Sequence, residues 1–481
     1  VRAEIEAKLR EWQIEPARKL LDCVQRGEVG FDTSDTGTGK TFVASAIAAQ
    51  LAEPCLVVCP KIAVSQWHRA MRHFDDVVSV IGWEHLRTGR TPFGRWENGL
   101  PGPVAERTTF VCVNCQQVVE SQACYAHPRG IHCVRPRVAR HRYGNFAFAP
   151  EVKLVIFDEF HRANGRDSLN SELPIAAHRQ RKKILCLSAT PATSPLHFRA
   201  LGYLLGLHNL DDFYDWARHY GCRPHPQFRG FHWMVGAAEQ TRIMRVLNAE
   251  MASRSVHITT AEIPGFPART IEPQLFDLPE EETAEMISLQ TELKESLEAL
   301  ERRQSLDKNP EHPLTVILRA RQKIELLKVP IVAELGQDSL DKGMSVVWFV
   351  NFRQTIDELR KRFPNAGVID GSVTGDARDE VVEAFQSNAL RELIVNCEAG
   401  GIALSLQDLH GGHPRDGIAM PVFSAVTFIQ FTGRLPRDGG KSPVRYRIVL
   451  AAGTLDERIY RKLGAKMNNL QALVDEDFTS T

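Results

Sequence analysis

Asp35-Thr36-Gly37-Thr38-Gly39-Lys40-Thr41, followed by Phe42-Val43-Ala44-Ser45-Ala46-Ile47, is the stretch from which the rest of the chain is read. Its glycines, Gly37 and Gly39, let the backbone bend until its N–H groups face phosphate oxygens. Lys40 supplies a point charge to β and γ phosphates, and Thr41 a hydroxyl for Mg²⁺ at the first turn of the helix that follows. The start of that helix itself favours anions. One departure stands out: the strict phosphate-loop pattern has glycine where this chain has Ser34.

Outward from this stretch, short β-branched runs alternate with helical patterns. Leu56-Val57-Val58, Leu154-Val155-Ile156-Phe157 and Ile184-Leu185-Cys186-Leu187 are candidate strands. Val346 to Phe349, Leu393-Ile394-Val395 and Arg447 to Leu450 repeat the theme later. None alternates apolar with polar residues, so each is expected to be buried on both faces, in parallel sheets covered by helices. Between the two sets, Pro279 to Asn309 is rich in Glu, Lys and Leu, with Met286, Leu289, Leu293, Leu297 and Leu300 on one helical stripe. It reads as a helical protrusion between two α/β lobes.

The strand Leu154 to Phe157 runs directly into Asp158-Glu159-Phe160-His161. Carboxylates there stand at the carboxyl edge of a sheet, where ligands bind. Asp158 can hold the Mg²⁺ shell, and Glu159 can orient and deprotonate an attacking water. Ser188-Ala189-Thr190-Pro191 follows the next strand.

Composition bounds what the chain can be. Its 481 residues suggest several domains, and 43% hydrophobic with 25% charged residues exclude a disordered chain. Lys plus Arg and Asp plus Glu both number 59, which excludes a protein that coats nucleic acid by bulk charge. A nucleic-acid contact needs a local basic surface. The apolar stretch Phe42 to Cys59 is broken by Gln50, Glu53 and Pro54, so no membrane span is expected. The opening residues, with Arg2, Glu4, Glu6 and Lys8, do not read as a signal peptide. Cys55, Cys59, Cys186 and Cys397 lie in apolar runs, as reduced core thiols do. A reducing, cytoplasmic location is expected.

One interval has its own chemistry. Ser121 to Pro150 contains no acidic residue, but does contain Arg129, Arg135, Arg137, Arg140 and Arg142. Cys112-x-x-Cys115, Cys124-x-x-His127 and His132-Cys133 lie in or beside it. Zn²⁺ takes four S or N ligands in a tetrahedron. Cys112, Cys115, Cys124 and Cys133 supply an all-thiolate set, and His127 or His132 could replace one. A small insertion without a core of its own needs such a staple. Free loop thiols are the plainer alternative. The arginines can grip DNA or pack on the rest of the chain.

Taken in order, Gly-Thr-Gly-Lys-Thr, Asp-Glu-Phe-His and Ser-Ala-Thr resemble motifs I, II and III of superfamily 2 helicases. Gly400-Gly401-Ile402-Ala403-Leu404-Ser405-Leu406 resembles motif V, and Gln430-Phe431-Thr432-Gly433-Arg434-Leu435-Pro436-Arg437 motif VI. The chain looks most similar to the Swi/Snf-type double-stranded DNA translocases. Cys59-Pro60-Lys61 with Gln66-Trp67, Trp83-Glu84-His85-Leu86, Ile369-Asp370-Gly371-Ser372 with Arg378 and Phe385, and Gly453-Thr454-Leu455-Asp456-Glu457 carry that likeness. Ser188-Ala189-Thr190, where that group has Thr-Gly-Thr, points to a compact bacterial, viral or repair-type relative.

The resemblance implies an α/β chain of two RecA-like parallel-sheet lobes, with a helical protrusion and a small zinc-binding insertion. Lobe one is expected over 1–262 with the insertion at 105–150, the linker and protrusion over 263–335, and lobe two over 336–481. ATP and Mg²⁺ would lie between the lobes. Gln13 stands where the family recognises adenine, although it also reads as a surface helix residue. Gln430 would join the nucleotide site with Gln13, Gly37, Thr38, Gly39, Lys40 and Thr41. Arg434 and Arg437 would reach across to the phosphates. Lys61, Ser65 and Gln66, with Asn351 and Arg353, would follow a nucleic-acid backbone. The implied activity is a DNA-dependent ATPase that translocates on duplex or forked DNA, remodelling it or displacing proteins. An RNA or single-strand helicase, a motor subunit of a restriction or defence complex and a nucleotide-switched scaffold are the alternatives. A protein partner in replication, repair or defence would fit each.

Overall fold

The structure is a computed structural model. It describes residues 1–76, 78–97, 107–112, 118–119, 134–139, 145–166, 168–224, 230–278, 313–373, 375–397 and 404–474, and of 107–112, 118–119, 134–139 and 313–316 the backbone only. The uninterrupted apolar runs form two six-stranded parallel sheets. In the first the strands stand in the order Ser255–Val256, Val29–Asp32, Lys183–Leu187, Leu154–Asp158, Cys55–Cys59 and Ser79–Gly82. Successive side chains go to opposite faces. Leu154 and Ile156 therefore pack with Leu20, Val43 and Ile47 under one face, while Val155 and Phe157 pack with Leu173 and Leu201 under the other.

The second sheet has the order Arg269–Phe276, Val444–Ala451, Arg415–Ala419, Ser345–Val350, Glu392–Asn396 and Gly367–Ile369. Its faces divide in the same way. Val347 and Phe349 join one cluster with Phe385 and Phe431, and Val346 and Trp348 another with Val332 and Leu359. The strand Arg269–Phe276 falls within the segment expected as linker, yet it forms the edge of this sheet. Its residues are mostly exposed, so it lacks the apolar run that marked the other strands.

The helix Leu455–Val474 crosses between the lobes. Leu463 packs in the second lobe, while Leu470, Leu473 and Val474 join the first lobe's core. Asn469 Nδ2 donates to Gln240 Oε1 at 2.9 Å, on the helix Ala237–Ala252.

Within the insertion, Arg107–Cys112 pairs antiparallel with Val118–Val119 and Val134–Ala139. Cys115, Cys124 and Cys133 lie outside the described residues, as do Pro279 to Asn309 and Gly400 to Ala403. Among the described residues, no group of three or more His, Cys, Asp or Glu is placed to hold a metal, and no helix is long and apolar enough to cross a membrane.

Candidate active site

The phosphate loop leaves the strand Val29–Asp32 and enters the helix Lys40–Leu51. Gly39 has φ +95°, and a Cβ there would lie 2.1 Å from Gln13 Nε2. Only glycine meets both demands. Gln13 is buried; its Nε2 donates to Thr38 O at 3.0 Å, and its Oε1 accepts from Arg10 N at 3.1 Å. Lys40 Nζ donates to Ser34 O at 2.7 Å and Asp35 O at 2.9 Å, which holds the ammonium at the loop. Burial pushes its pKa down, while Asp32 and Glu159 oppose the shift. Ser34, where glycine is usual, has a use. Its Oγ accepts from Ile258 N at 3.0 Å and ties the loop to the neighbouring strand's end.

The strand Leu154–Asp158 delivers the acidic pair. Asp158 is clamped by two buried indoles: Trp67 Nε1 donates to its Oδ2 at 2.9 Å, and Trp83 Nε1 to its carbonyl oxygen at 2.8 Å. Burial, and then the charge of Glu159, push Asp158 up to about 7, while the Trp67 hydrogen bond acts the other way. Glu159 has φ +52°, uncommon for a residue with a Cβ. Its Oε2 lies 3.3 Å from His161 Nδ1. The same nitrogen is 3.1 Å from Ser188 Oγ and 3.3 Å from Thr190 Oγ1, so the acidic motif and the Ser-Ala-Thr loop meet on one imidazole. Burial lowers the His161 pKa, against the pull of Glu159.

Across the cleft, the helix Ala425–Thr432 ends in Gly433-Arg434. A Cβ on Gly433 would lie 1.8 Å from Thr36 Oγ1 of the phosphate loop, so the lobes touch here. Tyr446 fixes the turn: its hydroxyl donates to Phe431 O at 3.0 Å and accepts from Leu435 N at 3.3 Å. Burial pushes Arg434 down to about 10, with Glu159 acting against it; burial and then Arg434 push Arg437 down to about 9. Both stay cationic at neutral pH. A cavity of about 650 Å³ is bounded by Gln13, the loop Thr36 to Thr41, Asp158, Glu159, Arg434 and Arg437. A divalent cation fits the donors: the Thr41 hydroxyl and Asp158 carboxylate are hard oxygens on one wall. The arrangement can hold a nucleoside triphosphate between an ammonium, two carboxylates and two guanidiniums.

The remaining candidates divide. Lys61, Ser65 and Arg353 are exposed. Gln66 lines the same cavity as the phosphate loop and the arginines. Asn351 Nδ2 donates to Glu325 Oε2 at 2.7 Å and Pro421 O at 3.2 Å, so its amide nitrogen is engaged inside the second lobe. Gln430 is buried on the helix Ala425–Thr432 that leads into the arginines, and is not among the residues lining the cavity. Sequence reasoning missed Trp67 as a partner of Asp158, although the residue stood in a quoted motif. It also missed Asp32, whose fully buried Oδ2 has no hydrogen-bond partner.

Residues 6–193 match the family model described as "Type III restriction enzyme, res subunit". A protein of Acanthamoeba polyphaga mimivirus, named as an ATP-dependent RNA helicase, is 27% identical over 98% of this chain and 85% of its own length. The DNA repair and recombination protein RAD54B of Mus musculus is 31% identical over 27% of this chain, a match that spans 15% of that protein. Among solved structures, the Sulfolobus solfataricus SWI2/SNF2 ATPase core in complex with dsDNA is 14% identical, with a TM-score of 0.35 over 97% of both chains.

Proposed function

We propose that the chain is a superfamily 2 helicase-like ATPase, a reading its matches support, and that it is an ATP-driven motor that translocates along duplex DNA, remodelling it or displacing bound proteins. The observation that carries this reading is the split site. The phosphate loop and acidic pair belong to one lobe, the arginines to the other, and all border one cavity.

In this reading Lys40 and the loop amides bind the triphosphate, and Gln13 borders its base. Bound at Thr41 and Asp158, Mg²⁺ would neutralise charge on the phosphate oxygens. Glu159 orients the attacking water and takes its proton. Its carboxylate is held beside His161, so Ser188 and Thr190 help to fix its direction. Arg434 and Arg437 stabilise charge on the transferring phosphoryl group, and they do so only when the lobes close. A duplex contacting both lobes through Lys61, Ser65 and Arg353 would favour closure, and cycles of closure would move the lobes along a strand. Backbone contacts carry little sequence information, which suits a motor.

Finer readings go with it. Lobe one would span 1–262 and lobe two 336–481, with the edge strand Arg269–Phe276 added to the second. Cys112, Cys115, Cys124 and Cys133 would hold one structural Zn²⁺ in the insertion at 105–150, and metal analysis of the purified protein tests this. The buried thiols Cys23, Cys55, Cys59, Cys186, Cys222 and Cys397 suit a reducing compartment. A protein partner in repair, replication or defence would direct the motor.

RNA is the second reading, favoured by the name of the viral relative that matches almost the whole chain. ATPase rates with duplex DNA, forked DNA, single-stranded DNA and RNA decide between them. Duplex DNA should stimulate most, without strand separation. Stimulation by RNA alone would transfer the motor to that substrate.

A further inference from the structure

The turn after the second arginine brings a third carboxylate to the cavity between the lobes. Arg437-Asp438-Gly439-Gly440 is closed by Gly440 N, which donates to Arg437 O at 2.9 Å. Gly439, third in the turn, has φ +83°, which glycine adopts without strain. Asp438 lines the cavity of about 650 Å³, and Asp158 and Glu159 are the other carboxylates among its lining residues. Those two come from the first lobe, whereas Asp438 comes from the second. Its side chain is 38% exposed, and its Oδ2 lies 3.5 Å from Arg10 Nε, across the cleft.

Position along the cavity decides what this carboxylate meets. In the ATPase reading, Lys40, Asp158 and Glu159 mark the phosphate end, with Arg434 and Arg437 opposite. The other end is an aromatic corner. Phe42, 38% exposed, borders the cavity, and His73 stands against it with 5.5 Å between ring centroids. His73 Nε2 lies 3.0 Å from Lys8 O, so the ring is held by the segment Lys8 to Arg10, which lines the same cavity. Gln13 Oε1 secures that segment by accepting from Arg10 N. An uncovered phenyl beside amide groups suits a heterocyclic base, whose face stacks and whose edge hydrogen-bonds. Asp438 lies between the two ends: it directly follows Arg437 in the chain and pairs with Arg10 in space. In a nucleoside triphosphate, the part between base and phosphates is the sugar.

We propose that Asp438 reads the sugar of the nucleotide: its carboxylate accepts a hydrogen bond from a ribose hydroxyl, so the site selects ribonucleoside over deoxyribonucleoside triphosphates. The proposal rests on the ATPase reading and adds a substrate preference to it. The chemistry runs one way. A carboxylate offers acceptors and no donor. The phosphate oxygens are acceptors of the same charge and repel it, whereas sugar hydroxyls can donate to it. An acidic residue reads ribose by the same bond in dinucleotide-binding folds. Arg10 engages one side of the group, and its roughly four lone-pair sites leave room for a hydroxyl. A site built to bond a hydroxyl discriminates against the analogue that lacks it.

The test is steady-state hydrolysis of ATP, 2′-deoxy-ATP and 3′-deoxy-ATP, with whichever of duplex DNA, single-stranded DNA and RNA stimulates most. Wild-type kcat/KM should favour ATP roughly tenfold over one or both deoxy analogues, mainly through KM, the lower end for a hydrogen bond to a charged group because Asp438 is partly exposed. Asp438→Ala should bring the three nucleotides to within about twofold of one another. Asp438→Asn, which keeps a neutral acceptor, should retain part of the preference. Arg10→Gln removes the ion pair but leaves the acceptor, and should keep most of it. Inhibition by inorganic tripolyphosphate, which has no sugar, should be the same in Asp438→Ala as in wild type. An Asp438→Ala variant that loses rate on all three nucleotides equally, with the wild-type preference kept, would overturn the proposal by reducing Asp438 to a tie between the lobes. Weaker tripolyphosphate inhibition in that variant would overturn it as well, because the residue would then act at the phosphates. So would an Arg10→Gln variant that loses the preference as fully as Asp438→Ala, since the cation would then do the reading. If wild type hydrolyses no nucleoside triphosphate, the ATPase reading fails. If it hydrolyses all three nucleotides equally well, only the sugar reading fails.

Discussion

Asp158 shows how much of the candidate site depends on single hydrogen bonds. Its Oδ2 faces the indole of Trp67, buried to 1% exposure, with a separation of 2.9 Å. Trp67→Phe keeps most of the ring but removes the donor. A charged acceptor that loses its partner in a buried place costs about 1.5–3 kcal/mol. The carboxylate should also lose its fixed orientation, so affinity for Mg²⁺-nucleotide should fall roughly tenfold. Titrating Mg²⁺ against a fluorescent ATP analogue measures this, and unchanged affinity would remove Trp67 from the site. The neighbouring residue separates binding from turnover. Glu159→Gln should bind ATP normally and lose hydrolysis by about 10²–10⁴, whereas Lys40→Ala should weaken binding itself. Rapid-quench hydrolysis alongside equilibrium binding distinguishes the two. Normal turnover in Glu159→Gln would show that another group activates the water.

At the scale of elements, buried polar groups fix where helices and loops of the second lobe begin. Glu325 accepts from Asn351 N, Asn351 Nδ2, Phe352 N and Thr355 Oγ1, and so caps the helix Arg353–Arg362 from outside. Lys328, 1% exposed, donates to Asp456 Oδ2 at 2.6 Å, which anchors the start of the crossing helix. Lys328→Met leaves Asp456 buried without its cation, and a loss of about 3–5 kcal/mol in urea unfolding is expected. Asp408 accepts from Ser442 Oγ, Asn388 Nδ2 and the amides of His410, Gly411 and His413. Burial alone would raise its pKa, but these donors win and hold it well below the usual carboxylate range. A carboxyl depressed on folding stabilises above its unfolded pKa of about 4 and loses that contribution as pH falls further. Asp408→Asn should therefore lower the melting temperature at pH 7, with the gap to wild type narrowing below about pH 4. These networks were not legible in the sequence. The phosphate loop, acidic pair and arginine motif were, because each is one contiguous run with chemistry in its spacing. Trp67 and Asp158 are 91 residues apart, and nothing local to either announces the bond. The edge strand Arg269–Phe276 escaped for a related reason, since its exposed side chains follow its neighbour's backbone and show no apolar pattern of their own.

At the scale of the whole molecule, the decisive question is whether the two lobes work only when pressed together. The contact between Gly433 and Thr36 offers a direct test. A Cβ on Gly433 would fall 1.8 Å from Thr36 Oγ1 and 2.6 Å from Thr36 Cβ. Contacts that short cannot be absorbed by a small side-chain shift, so Gly433→Ala should wedge the lobes apart. Gly433 lies in the turn after the helix Ala425–Thr432, outside the strands of both sheets, and the crossing helix still ties the lobes through Leu470 and Leu473. Both lobes should therefore remain folded, and ATP should still bind at Lys40. Stimulated hydrolysis should fall by about 10³ or more, the scale of losing an arginine finger, because Arg434 and Arg437 no longer reach the phosphates. Removing the opposing side chain as well, in Gly433→Ala with Thr36→Gly, relieves the clash and should return part of the rate. A merely local defect in the arginine turn would not respond to a change in the other lobe, so absence of rescue, with ATP binding intact in both variants, would argue against closure as the step that couples the lobes.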